Sequence, residues 1–201
     1  MIVIAAPMPT RIQSFRNLLV DFRVVISFVL FTSLIVLDLL TGVEPRAVFA
    51  AGAWQGWLGW GLVFAGLAMR SWAAGVLKKG KDLAVAGPYS LCRHPLYLGS
   101  FLMMLGFCHM LGDPLTYVMV VVPVAAIYWA TMAREELRME EKYGARWEAH
   151  AAKTPRLLPL RPQLFVAAPW SGAQWLKNHE YRAIFSSLAG LTALEVWRRF
   201  F

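Results

Sequence analysis

Apolar residues along this chain gather into long runs that short polar stretches separate. Set against the ~20 residues that cross a hydrocarbon core, four runs predict membrane-spanning helices: Val24 to Leu40, Trp54 to Leu77, Leu96 to Leu111 and Leu115 to Ala133. A fifth candidate, Ala183 to Trp197, is short for a span and suits either a tilted crossing or an interfacial helix. The second run enters through Trp54, Trp57 and Trp60, whose rings favour a membrane interface, and carries Gly56, Gly59, Gly61 and Gly66, which allow close helix approach. It is expected to pair with the first run as a hairpin. Pro95 starts the third run at a position where a missing N–H costs nothing, and "GDP" turns the chain into the fourth, so these two also form a hairpin. The texture then changes: "REELRMEEKYGARWEAHAAK" is charged on most faces and reads as a helix leaving the membrane, ended by the breaker "TPRLLPLRP".

Composition agrees with this pattern. Hydrophobic residues make up 58% of 201 positions, mean hydropathy is +0.51, and that is more apolar surface than one soluble core would use. The expectation is an all-α polytopic membrane bundle forming a single domain over residues 1–201. The N-terminal "MIVIAAPMPTR" is apolar before it is basic, the wrong order for a signal peptide, and is read as a mature N-terminus. Cys92 and Cys108 are expected on either side of a helix start, too far apart for a disulfide, and no zinc-type spacing occurs.

The formal net charge of +8 raises nucleic acid as a partner, but the basic residues lie in short segments between apolar runs and not on one long polar face. Membrane topology explains them better. Three Lys or Arg precede the first run, four lie between the second and third, nine lie from Arg134 to Arg182, and Arg46 is alone in the opposite loops. The positive-inside bias puts the N-terminus, the loop "GPYSLCRHPLYLG" and the charged helix on the cytoplasmic face.

That topology brings two polar clusters together. Arg93 and His94, at the entrance of the third run, are expected to face Glu135 and Glu136, at the exit of the fourth. A helix N-terminus and Arg93 favour an anion. Adjacent glutamates on a helix point about 100° apart, so one can face a cationic or hydroxyl-bearing ligand while the other pairs with Arg93, Arg138 or Arg156. An anion site opposite a carboxylate suits a zwitterionic amphiphile or a zwitterionic cofactor beside a lipid, and the residues alone do not choose between them. Arg70, within the second run, either snorkels or points into a ligand cavity. Read singly, Arg93 and His94 also suit lipid-phosphate anchors, and Glu135 and Glu136 a solvated salt-bridged face.

The ordered set, "GPYSLCRHPLYLG", two apolar helices and then "REELRMEEKYGARWEAHAAKTPRLLP", resembles the isoprenylcysteine carboxyl methyltransferase family and the related phospholipid methyltransferases. The resemblance covers about Lys79 to Pro159, leaving residues 163–201 as a C-terminal extension without a match. It implies an integral-membrane enzyme that uses S-adenosylmethionine and a lipid or isoprenoid substrate entering from the bilayer. Gly87, Tyr89, Arg93, His94, Pro95, Tyr97 and Gly99 fall on the loop pattern, and Glu135, Glu136 and Arg156 on the C-terminal pattern. Carried over, Gly87, Tyr89, His94, Pro95, Tyr97, Gly99, Glu135 and Glu136 would form the cofactor site, and Arg93, His94 and Arg156 the catalytic set. For a carboxylate acceptor, Arg93 or Arg156 would orient it; for an amine or phenol, His94 or His150 would be the base. Tyr143, Trp147 and His150 depart from the family's usual aromatics. Glu136→Ala and His94→Ala are each expected to weaken cofactor binding without unfolding the protein. A sterol-reductase-like enzyme using NADPH shares an RHPxY loop, but Asn usually follows its Pro where Leu96 stands here. A non-catalytic member of the fold is the third reading.

Overall fold

The computed structural model describes residues 54–78, 82–159 and 165–200, with residues 29, 32–33, 36–37 and 40–42. Most of the first predicted span lies outside the described residues; Val29, Thr32, Ser33, Val36, Leu37 and Leu40 within it are helical. The described residues contain helices and no strand. The second run becomes α1 (Trp54–Val76), and the loop that follows holds one short turn, α2 (Pro88–Leu91). The third run is α3 (Pro95–Leu111), begun by its proline as expected.

The fourth run and the charged stretch after it form one rod, α4 (Pro114–Tyr143, 30 residues), which includes a π-helical turn at Tyr117–Val121. No Gly or Pro falls between Ala133 and Tyr143, so the change from apolar to charged side chains alters the surroundings without ending the helix. Gly144, with φ +50, ends it. Short helices α5 (Ala145–Lys153) and α6 (Gly172–Lys177) precede α7 (Tyr181–Phe200), which contains the doubtful fifth segment and extends it at both ends. Of the described helices, α4 alone is long and apolar enough to cross a membrane by length and composition; α3 is apolar but has 17 residues.

Glycine packing sets the geometry of the bundle. A Cβ on Gly66 of α1 would lie 2.5 Å from the Gly99 carbonyl oxygen, and one on Gly106 of α3 would lie 2.7 Å from the Gly59 carbonyl oxygen. The two backbones therefore touch along a small-residue seam, the packing that membrane helices use where apolar burial gives no drive. The close approach expected of Gly59 and Gly66 is made with α3; the expected hairpin with the first run lies outside the described residues. Gly112, left-handed at φ +82, and Asp113, whose carboxylate accepts the amides of Leu115 (3.1 Å) and Thr116 (3.0 Å), turn α3 into α4. Cys108, Val120 and Val124 pack across this hairpin. At the same end, Val63, Met110 and Leu111 pack against Leu191, Leu194 and Trp197 of α7. The start of α7 lies at the opposite end, where Glu180 meets Arg70, so α7 runs the length of the α1–α3 pair.

Candidate functional site

The open ends of α3 and α4 meet over a cavity of about 730 Å³, within the range of small-ligand and cofactor sites. Tyr89, Arg93, His94, Pro95, Tyr97 and Glu135 line it, so six of the loop and carboxylate residues read from the sequence share one wall. Glu136, Arg156, Gly87 and Gly99 are not in that lining.

Helix geometry separates the two carboxylates. Glu136 turns inward: Arg93 Nη1 lies 3.0 Å from its Oε1, His94 Nε2 lies 3.1 Å from the same oxygen, and Arg156 donates from Nε at 3.0 Å and from Nη2 to Oε2. One carboxylate thus gathers two guanidiniums and an imidazole. Glu135 faces the cavity, its Oε1 accepting the Tyr97 hydroxyl at 2.7 Å. Behind Tyr97 an edge-to-face aromatic series runs through Tyr128 to Phe101, with centroids 5.1 and 5.2 Å apart, and fixes the phenol.

Backbone pairing explains how Arg93 and Arg156 arrive together. The amide of Arg93 donates to the Pro155 carbonyl at 2.9 Å and that of His94 to the Arg156 carbonyl at 3.1 Å, so "TPR" lies along "RHP" as a short strap. Arg93 then rests 5.8 Å from the Trp147 ring centre, and Arg156 4.7 Å from that of Trp129. Arg156 is engaged by Glu136 and Trp129, outside the cavity lining. His150 also lies outside the lining, its Nδ1 3.3 Å from the Thr154 hydroxyl; burial, and then the Arg93 charge, lower its pKa below the ordinary 6.5.

The two loop glycines act on the backbone. Gly87 has φ +62, a conformation open to glycine, and donates its amide to the Val166 carbonyl at 2.6 Å. Gly99 is the α1 contact described above; a Cβ there would also lie 2.6 Å from Arg70 Cγ. Their part in the site is to shape the loop and the seam.

Some lining residues were not singled out from the sequence. Ser100 and Tyr128 join the wall; Arg138, read as a partner for a glutamate, and Trp147, read as a departure from the family's aromatics, do so as well, and Arg70, whose two readings stayed open, lines the cavity. Arg70 donates to both carboxylate oxygens of Glu180, at 2.6 and 3.0 Å, and to Ser100 Oγ at 2.5 Å. The Tyr89 hydroxyl is buried in the wall without a hydrogen-bond partner among the described residues. Burial, the largest cause, raises its pKa above the ordinary 10.0, so it stands as a neutral donor.

Residues 54–146 match the phospholipid methyltransferase family. The match covers 93 of the chain's 201 residues, a little under half of it. A nickel-cobalt-cadmium resistance protein, NccN of Alcaligenes xylosoxydans xylosoxydans, is 29% identical over 78% of this chain and 71% of its own length. A cobalt-zinc-cadmium resistance protein, CzcN of Cupriavidus metallidurans, is 34% identical over 41% of this chain and 38% of its own. The Delta(14)-sterol reductase ERG24 of Candida albicans is 34% identical over 41% of this chain and 19% of its own. The chain therefore spans well under half the length of the latter two. No solved structure matches it. The phospholipid methyltransferase segment runs from the start of α1 into α5, and so contains the seam, the RHP loop and both glutamates. Among the described residues, no group of three or more His, Cys, Asp or Glu is placed to hold a metal ion.

Proposed function

We propose that the chain is a multi-pass membrane enzyme that uses S-adenosylmethionine to methylate a lipidic or isoprenoid acceptor from the cytoplasmic face. Carboxylate O-methylation is favoured, and amine N-methylation of a phospholipid is next. The observation that carries this reading is the cavity at the polar end of the bundle, where the RHP loop and Glu135 share one wall. α4 is about 45 Å long at 1.5 Å per residue, against ~30 Å of hydrocarbon, so its polar end extends past the apolar layer and holds the glutamates at the membrane surface. α7 runs beside α1 and α3 end to end, which supports a further crossing, and Glu195 pairs with Arg198 and Arg199 at 2.7 Å to offset the charges at its far end.

The donor set fits the cofactor. Glu135 offers an acceptor for an ammonium or ribose hydroxyls, while Arg93 and the Tyr89 hydroxyl, which has no partner among the described residues, offer donors. S-adenosylmethionine would supply an electrophilic methyl on a sulfonium. The chain's own contribution is to align the acceptor and exclude water. Arg93, held by Glu136, would orient an acceptor carboxylate, which is already ionised and needs no strong base. His94 has Nε2 committed to Glu136, which leaves Nδ1 for an acceptor that must lose a proton.

The similarity to a sterol reductase sustains a second reading, reduction of a sterol-like lipid with NADPH. Calorimetric titration of the purified full chain with S-adenosylhomocysteine and with NADPH separates the two. Binding of S-adenosylhomocysteine is expected; binding of NADPH alone would overturn the methyltransferase reading, and binding of neither would favour a non-catalytic member of the fold. Labelling membrane extracts with radioactive cofactor then identifies the acceptor lipid.

A further inference from the structure

Arg70 and Tyr89 both line the cavity, but Arg70 has no part in the assignments above, and its partner Glu180 lies outside the matched segment. A guanidinium has five N–H donors. Arg70 spends two on Glu180 and one on Ser100, which leaves one on each Nη atom of a side chain that lines the cavity and is 24% exposed. The two-point fork to Glu180 fixes the plane of the guanidinium, and Ser100 closes its third side by donating to the Leu96 carbonyl at 2.9 Å. The Tyr89 hydroxyl, in the same lining, has no acceptor among the described residues.

Glu180 is 3% exposed and reaches this corner on a segment that clasps α1 and the loop. Val166 joins Gly87 and Ser90, the Trp170 indole donates to the Ser71 carbonyl at 3.0 Å, and the Ser171 amide donates to the Gly75 carbonyl at 3.0 Å. Asn178 Nδ2 then caps α1 by donating to the carbonyls of Ala74 (2.7 Å) and Leu77 (2.9 Å). A buried carboxylate held this firmly against one arginine fixes where that arginine's remaining donors point.

We infer that Glu180 is a positioning residue that holds Arg70 so that the N–H groups not engaged among the described residues, with the Tyr89 hydroxyl, bind the carboxylate of the cofactor's amino-acid end. The inference rests on the methyltransferase reading. A zwitterionic amino-acid group needs an acceptor for its ammonium and donors for its carboxylate; Glu135 supplies the first and this corner the second.

The test compares S-adenosylhomocysteine with its decarboxylated analogue, by calorimetry on the full chain in nanodiscs. The parent is expected to prefer the carboxylate-bearing ligand by about tenfold or more. Glu180→Gln should lose most of that preference by weakening S-adenosylhomocysteine alone, Glu180→Asp should recover part of it, and Tyr89→Phe should reduce it by about threefold. A general loss of structure would weaken both ligands together, so the ratio reports positioning. If Glu180→Gln does not fold, Tyr89→Phe and Ser100→Ala carry the same comparison. Unchanged preference in the folded variants, or a parent that binds both ligands equally, overturns the inference while leaving the methyltransferase reading intact. A parent that binds neither overturns both.

Discussion

Two faces of the polar end of α4 carry the same side chain to different work. Glu135 keeps 37% of its side chain exposed, in the cavity and steadied by one phenol, whereas Glu136 keeps 11% and gathers Arg93, His94 and Arg156. One step along the helix, about 100° of rotation, separates a ligand-facing carboxylate from one that ties three segments of the chain together. An "EE" pair therefore marks a site without giving both members the same role.

The largest effect should come from the inward face. Glu136→Ala leaves two half-buried guanidiniums without their shared counter-charge, and breaking a buried pair from one side costs about 3–5 kcal/mol. Thermal unfolding in detergent should show this as a large fall in melting temperature, which tests the expectation that this variant keeps its fold. Glu135→Ala should leave the stability within about 1 kcal/mol of the parent, and so the melting temperature little changed, while weakening S-adenosylhomocysteine by about tenfold or more. Equal destabilisation by the two variants would erase the distinction between the faces.

A smaller change sharpens the outward face. Tyr97→Phe removes the 2.7 Å bond to Glu135 and leaves the stacking on Tyr128. A hydrogen bond to a charged group contributes about 1.5–3 kcal/mol where water is excluded, and less beside an exposed carboxylate, so a three- to tenfold loss of cofactor affinity is expected, with stability unchanged. If calorimetry finds no loss, Tyr97 does not orient Glu135.

The meeting of the RHP loop with the glutamates was legible because it follows from topology: a hairpin of two apolar runs returns its open ends to one side. Pro95 and Gly112 were legible as local punctuation, and α7 as an apolar run. The division of labour between Glu135 and Glu136 could be framed but not assigned, since it depends on which face of α4 meets Arg156. Gly66 was legible as a point of close approach, but its partner Gly99 was not, because a seam is a property of two helices and each segment names only one side of it. Glu180 was least visible of all. Its partner Arg70 is 110 residues away, and "HEYR" carries no pattern of its own.

The smallest effect lies behind the Glu136 cluster, at His150. Burial and the neighbouring Arg93 charge lower its pKa in the folded chain, so below the unfolded value of 6.5 the unfolded chain takes up the proton more readily. The contribution of neutral His150 is thus present above that pH and is lost as pH falls through the lower folded value. Melting temperatures followed from pH 8 to pH 5 should fall more steeply in the parent than in His150→Gln, and the difference between the two curves isolates this group from the other titrating residues. Parallel curves would show that His150 gains its proton as freely in the folded chain as in the unfolded one. In that case Arg93 would already be neutralised by Glu136 at the distance of His150, and the inward carboxylate would screen its cations more completely than the depressed imidazole implies.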